Sequence, residues 1–247
     1  DPFDPSLVKN CTFEGVVRIG ALENGFLFDG ERNYRCGFTS SRIISSDFGD
    51  YCAIHNNSMV SAVITGNYVV FADNNEIYTT ENARFGNSIP KKGDTGKTPG
   101  KINIVNERGG RGVLFFSGLR VEDIYFWIKN IADAGLAGKL EEFTFASRDS
   151  EPGYYSFFDD HTAITGTSLV RNTMTGRSSR IRRACRVDEV TINSTASNPS
   201  VVRDNAIVER GIIGEGCRIE SSSIASDFML APNSSLSLGA RFIHSYL

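Results

Sequence analysis

The chain has 247 residues, 40% hydrophobic and 22% charged, enough for one large domain or two modest ones and unlike a disordered chain. A formal net charge of −3 and a pI near 5.7 argue against a dedicated DNA-binding protein, although a local basic patch can still take an anion. No apolar run approaches the ~20 residues that span a bilayer, and the start has neither a charged n-region nor an apolar h-region. The sequence therefore predicts a cytoplasmic protein without membrane contact, a processed start being the case that would hide a signal.

The first predicted segment covers residues 1–80. Phe13, Val17 and Ile19 suggest one short-stranded coil, and the run from Phe48 to Ile54 aligns with that from Ile64 to Val70 at a shift of 16 residues. Residues 81–152 interrupt this pattern. They hold a polar loop bearing Lys, Gly and Pro, two short apolar runs (Ile102 to Val105 and Val113 to Phe116), and an apolar set at helical spacing: Val121, Ile124, Ile128 and Ile131. Gly135 and Gly138 are expected to divide this helical stretch, and the single Trp127 to pack it on the rest of the molecule.

Residues 153–247 resume the coils, as parts of one continuous solenoid. Ile164, Val170, Val190, Ile192, Val202 and Val208 lead into a clear repeat of hexads opened by Ile213, Ile219, Leu230, Leu236 and Phe242. A small residue (Cys217, Ser223, Ser234, Ala240) recurs four positions after most of the openers. An apolar residue that fills the interior, a small one where the wall bends, and Gly, Asn or Asp at the turns describe one side of a triangular coil. Ile213 to Leu230 is 17 residues, close to three hexads. A β-sandwich would share the alternation but not the fixed small residue or the near-constant coil length. Five cysteines without a C-x-x-C pair predict neither a disulfide framework nor structural zinc, and the four N-x-S/T sequons read as coincidence in an Asn- and Ser-rich chain.

These repeats resemble those of the left-handed β-helix superfamily, which includes acyl-CoA-dependent acyltransferases, the acetyltransferase half of bifunctional sugar-nucleotide enzymes and γ-class carbonic anhydrases. Phe85-Gly86-Asn87 and Asn106-Glu107-Arg108-Gly109-Gly110-Arg111 resemble, more specifically, the F-G-N and N-E-x-G-G-R motifs of an uncharacterised bacterial family of unknown function. That resemblance spans essentially the whole chain. It implies a mainly β fold, a left-handed parallel β-helix of hexapeptide-repeat coils with one loop and α-helical insertion. Members of that family continue past the point that corresponds to Leu247, which implies either a fragment or an open end capped by something else.

Hexapeptide acyltransferases use a histidine as general base, so His161 and His55 are the catalytic candidates. His161 is the better one, because Asp159-Asp160 beside it can orient the ring; His244, in the last hexad, carries less weight. For each, an exposed polar turn residue is the bland alternative. The histidine spacing does not fit the close pair of a γ-carbonic-anhydrase zinc site, so no metal is expected. Arg84, Asn87 and the segment Asn106, Glu107, Arg108, Gly109, Gly110, Arg111 are expected to bind an anion where the insertion meets the coils, or else to form a structural turn. Arg180 and Arg183, within five arginines between 177 and 186, are candidates for the phosphates of CoA or a nucleotide-sugar; a solvated face is the alternative, and no aromatics are interleaved for nucleic acid. The sequence thus points to a transferase acting on a sugar, nucleotide-sugar or acyl donor, in competition with a non-catalytic scaffold. In either case a homo-oligomer is expected, a trimer by analogy with the superfamily.

Overall fold

The computed structural model describes residues 4–86, 101–103, 112–115, 119–130, 132–148 and 154–247. They form a parallel β-solenoid with three walls. The first wall is a ladder of nine parallel strands: Val8–Lys9, Gly37–Thr39, Ala53–His55, Val70–Ala72, Ala163–Thr165, Arg180–Arg182, Val201–Arg203, Arg218–Ile219 and Ser235–Leu236. The second wall runs through Thr12–Glu14, Arg42–Ile44, Met59–Ser61, Glu76–Tyr78 and Leu169–Arg171, and the third through Arg18–Ile19, Asp47–Phe48, Val63–Thr65, Ser156–Phe158 and Met174–Thr175. In the C-terminal coils a single strand turns the corner between those two walls, as in Arg186–Ile192, Ile207–Ile213, Ile224–Leu230 and Arg241–Tyr246.

The register fixes the coil length. Val201 pairs with Arg218 and Arg218 with Ser235, a repeat of 17 residues, one fewer than three full hexads. The shortening is at the corner between the second and third walls, which is turned by one residue in left-handed conformation: Glu189, Arg210, Asp227 and His244 have φ of 53°, 50°, 50° and 49°. The same 17-residue register corrects the N-terminal alignment. Ala53 pairs with Val70 and Ile54 with Phe71, so the shift of 16 is one residue short. A one-residue slip exchanges the inner and outer faces; here Val63 points in and Ile64 lies on the outer face.

The apolar residues that open the hexads fill the interior: Ile164, Ile181, Val202, Ile213, Ile219 and Leu230 are fully buried. The inner corner between the first and second walls is polar and satisfied across coils. Asn74 donates to Asn57 Oδ1 at 2.9 Å and to the Ile164 carbonyl at 2.8 Å, and its own Oδ1 accepts from Thr167 N–H at 2.9 Å. Each asparagine thus ties its coil to the next at strand spacing. The cysteines are all free, and Cys36, Cys52 and Cys217 are buried as small interior residues, as the repeat requires.

The insertion leaves after Glu76–Tyr78 and returns at Ser156–Phe158, so it hangs from one corner of one coil. Thr79 closes that exit, donating to the Ala62 carbonyl at 2.6 Å and accepting from Ser156 N–H at 2.7 Å. Helix α1 (Val121–Lys129) buries Ile124 and Trp127 against Ile212 and Met229 on the outer face of the third wall, as expected for the tryptophan. The helical break differs from the expectation. Helix α2 spans Ala134–Arg148 and contains both glycines. The division falls at Asn130, whose Nδ2 donates to the Phe126 carbonyl at the end of α1 (2.8 Å), and at Asp133, whose Oδ1 takes the N–H groups of Gly135 (3.0 Å) and Leu136 (3.1 Å). End-capping by side chains outweighs the modest helix penalty of glycine.

Candidate functional site

A second, shorter departure from the coil builds the most site-like feature. Between the first two coils, Phe26–Phe28 and Asn33–Arg35 form an antiparallel hairpin that folds back on the first wall. The wall receives it because its outward residues there, Ala53, Val70, Ala72 and Ala163, are apolar and mostly small; Leu27 and Tyr34 cover them. Asp29 organises the hairpin tip, its Oδ1 accepting from Glu31 N–H (2.7 Å) and Arg32 N–H (2.8 Å). Gly30 follows with φ of 102°, and a Cβ there would sit 2.8 Å from Arg180 Nη1 and 2.9 Å from Arg182 Nη2. The turn backbone therefore rests on two guanidinium groups, and only glycine permits that approach.

Two locks hold the hairpin. At the tip, the buried Arg182 donates to the Asp29 carbonyl and pairs with Glu31 at 2.8 Å, while Arg183 bridges Glu31 (3.3 Å) and Asp204 (2.9 Å). The Arg182 charge, with the Arg183 hydrogen bond, holds the Glu31 carboxyl below its usual range. At the base, His55 places Nε2 2.7 Å from the Arg35 carbonyl and Nδ1 2.7 Å from Thr39 Oγ1. The carbonyl can only accept, so Nε2 carries the proton and Nδ1 accepts from the threonine. Both nitrogens of His55 are thus engaged in fastening the hairpin.

Between hairpin and wall lies a cleft of about 290 Å³ lined by Phe26, Phe28, Asp29, Tyr68, His161, Ser178 and Arg180. His161 takes φ of 59° at the corner leading into the first wall, as do Tyr68 (59°) and Tyr51 (57°) one and two coils earlier. Equivalent positions in successive coils lie one strand spacing apart, so the three rings stack: Tyr51 on Tyr68 at 5.2 Å, and Tyr68 on His161 at 4.9 Å with planes 5° apart. Asp160 does not orient the imidazole. Its Oδ1 accepts from Asn67 N–H at 2.8 Å and its Oδ2 pairs with Arg177 at 2.6 Å, the backbone bond leading in holding its carboxyl below the usual range. Among the described residues no group hydrogen-bonds the His161 ring or pairs with the Arg180 guanidinium.

The structure thus brings His161 and Arg180 together, puts His55 and Arg183 into the hairpin locks, and sets Arg84 in a separate groove. Asn87, Asn106, Glu107, Arg108, Gly109, Gly110 and Arg111 lie outside the described residues. Phe26, Phe28, Tyr68 and Ser178 were not singled out from the sequence. The 17-residue offset from Tyr51 to Tyr68 was the available signal, but the insertion puts His161 another 93 residues on. Among the described residues no His, Cys, Asp and Glu cluster could hold a metal ion, and no helix is long and apolar enough to cross a membrane.

Comparison with known proteins adds a family without an activity. Residues 1–242 match a family model described as a domain of unknown function, DUF4954. An uncharacterized protein of Treponema pallidum (strain Nichols) is 33% identical over 219 residues, which cover 89% of this chain and 30% of that protein. The chain therefore spans under a third of the relative's length. No solved structure matches.

Proposed function

The chain belongs to the DUF4954 family, and on that premise we propose that it is a rigid β-solenoid scaffold whose hairpin cleft binds a small anionic, ring-bearing donor of the nucleotide-sugar or CoA class, on which it acts as a transferase of the hexapeptide-repeat type. One observation carries this reading: in a molecule whose outward arginines are largely matched to carboxylates, Arg180 has no partner among the described residues and lies in a cleft whose imidazole has no hydrogen bond from them. Arg180 offers planar donors to a phosphate. Phe26, Phe28 and Tyr68 offer apolar and aromatic surface to a base or sugar ring. His161 is the general base, taking the proton from an acceptor hydroxyl or amine as it attacks the donor's anomeric or thioester carbon. The bond from that carbon to the nucleoside diphosphate or CoA sulfur breaks and releases that group. A homo-oligomer, a trimer in the superfamily's manner, belongs to this reading.

The test is titration calorimetry with UDP-N-acetylglucosamine, acetyl-CoA and inorganic phosphate. Removing a charge-assisted contact is worth ~1.5–3 kcal/mol, so Arg180→Ala should weaken binding about tenfold or more. His161→Asn should leave binding near wild type while abolishing turnover. The second reading, a non-catalytic scaffold, is favoured by how many polar side chains fasten coil to coil. Absence of binding by all three ligands, or binding indifferent to Arg180→Ala, would establish it instead.

A further inference from the structure

The insertion and the corner between the second and third walls enclose another groove, of about 300 Å³. Its floor is the column of left-handed corner residues Glu189, Arg210, Asp227 and His244. Earlier residues at this corner are Ser45, Ala62 and Asn172, small or uncharged; the charged ones stack where the insertion crosses. The crossing is close. Phe85 is buried, and a Cβ on Gly86 would lie 2.0 Å from the Gly211 carbonyl oxygen and 2.3 Å from Thr191 N.

Two acceptors in this groove lack partners among the described residues. Arg210 and Asp227 satisfy each other through two hydrogen bonds of 2.8 Å. Glu189, next to them and half-buried, accepts no hydrogen bond from the described residues. His244 has Nδ1 2.8 Å from the Asn103 carbonyl, an acceptor only. Nδ1 therefore carries the proton and Nε2 keeps its lone pair in the neutral ring. The cations of Arg84, Lys101 and Arg210 stand around these acceptors, with Lys101 paired to Glu141, so the groove is close to neutral in sum. Burial raises the pKa of Glu189, with Asp188 adding to it and Arg210, Arg171 and Arg84 opposing, as expected for a carboxylate without a bonded donor.

We propose that this groove is a second binding site, for a neutral polyhydroxylated ring of monosaccharide size. A hydroxyl both donates and accepts, so a polyol can give hydrogen bonds to Glu189 and His244 Nε2 while accepting from the arginines. A phosphorylated ligand would bring its charge against Glu189 and Asp227, and an apolar one would leave both acceptors desolvated. The volume fits one sugar ring. The proposal is independent of the hairpin cleft, which lies on the first wall.

Saturation-transfer NMR on the whole chain, with glucose, galactose and N-acetylglucosamine, tests it. At least one sugar should bind at low-millimolar concentration. Glu189→Gln, which keeps the shape but donates where the carboxylate accepts, should weaken binding about tenfold or more, and Arg180→Ala should leave it unchanged. Absence of saturation transfer from all three sugars at tens of millimolar would overturn the proposal. So would sugar binding indifferent to Glu189→Gln, or binding lost in Arg180→Ala, which would assign the sugar to the hairpin cleft. Far-UV circular dichroism of each variant separates a lost contact from a lost fold.

Discussion

Replacing Arg182 with Met tests whether the hairpin is held by charge. The guanidinium is almost wholly buried, donates to the Asp29 carbonyl and pairs with Glu31, and it is the nearest cation to an Asp29 side chain that is itself buried. Breaking a buried ion pair by removing one partner costs ~3–5 kcal/mol. Three features reduce that here. Glu31 is partly solvated and keeps Arg183, Asp29 keeps its bonds from Glu31 and Arg32 N–H, and the substitution removes an Arg182 Nε that is buried without a partner. About 2–3 kcal/mol remains, directed at the hairpin because the interior side of this strand, Ile181, is untouched. By native-state hydrogen exchange, the amides of residues 26–35 should exchange about thirty- to a hundredfold faster, with those of Ile212 and Phe228 unchanged. Exchange in the hairpin within threefold of wild type would refute the argument and leave Leu27, Tyr34 and His55 as what holds it.

Asn74→Ala removes the side-chain bonds that tie three consecutive coils, leaving Thr167 N–H without its acceptor in the interior and Asn57 Oδ1 with only the 3.4 Å bond from the backbone N–H of residue 74. At ~1–3 kcal/mol per buried unsatisfied group, less than additive, about 3 kcal/mol should be lost, read as a lower urea midpoint at constant slope. Gly86→Val should lift the insertion from the corner, and the single Trp127, buried against Ile212 and Met229, should report it as a red-shifted, weaker fluorescence with far-UV dichroism retained. For Glu189, burial raises the folded pKa above the unfolded one, so the native state binds more protons and stability falls as pH rises through that window. Glu189→Gln should therefore raise the melting temperature at pH 7 and lose that advantage below pH ~4, the unperturbed carboxylate range.

The solenoid was legible because its cause is local and repeated. Each interior position must be apolar or small, and each corner must tolerate left-handed backbone, so Ile213, Ile219, Leu230 and Leu236 announce themselves at nearly fixed intervals. The alignment of Phe48 with Ile64 missed by one residue because apolar residues also occupy the outer face, where the third wall is covered by the insertion and the first by the hairpin. The helix boundary was missed for a related reason, since Asn130 and Asp133 act through hydrogen bonds that glycine propensity does not anticipate.

The sites belong to the other kind of information. Asp29 meets Arg182 across 153 residues, and Asn103 meets His244 across 141, separations that no periodicity encodes. Sequence alone determined that this chain coils and, in the C-terminal hexads, which residues face inward, because exclusion from water acts on each residue by its own chemistry. Only the tertiary structure decided that Arg180, among the described residues, stays unpaired beside His161 while Arg182 and Arg183 are consumed by the hairpin. Neighbouring residues on one strand point to opposite faces, and the partner each one finds depends on which distant segment crosses that face.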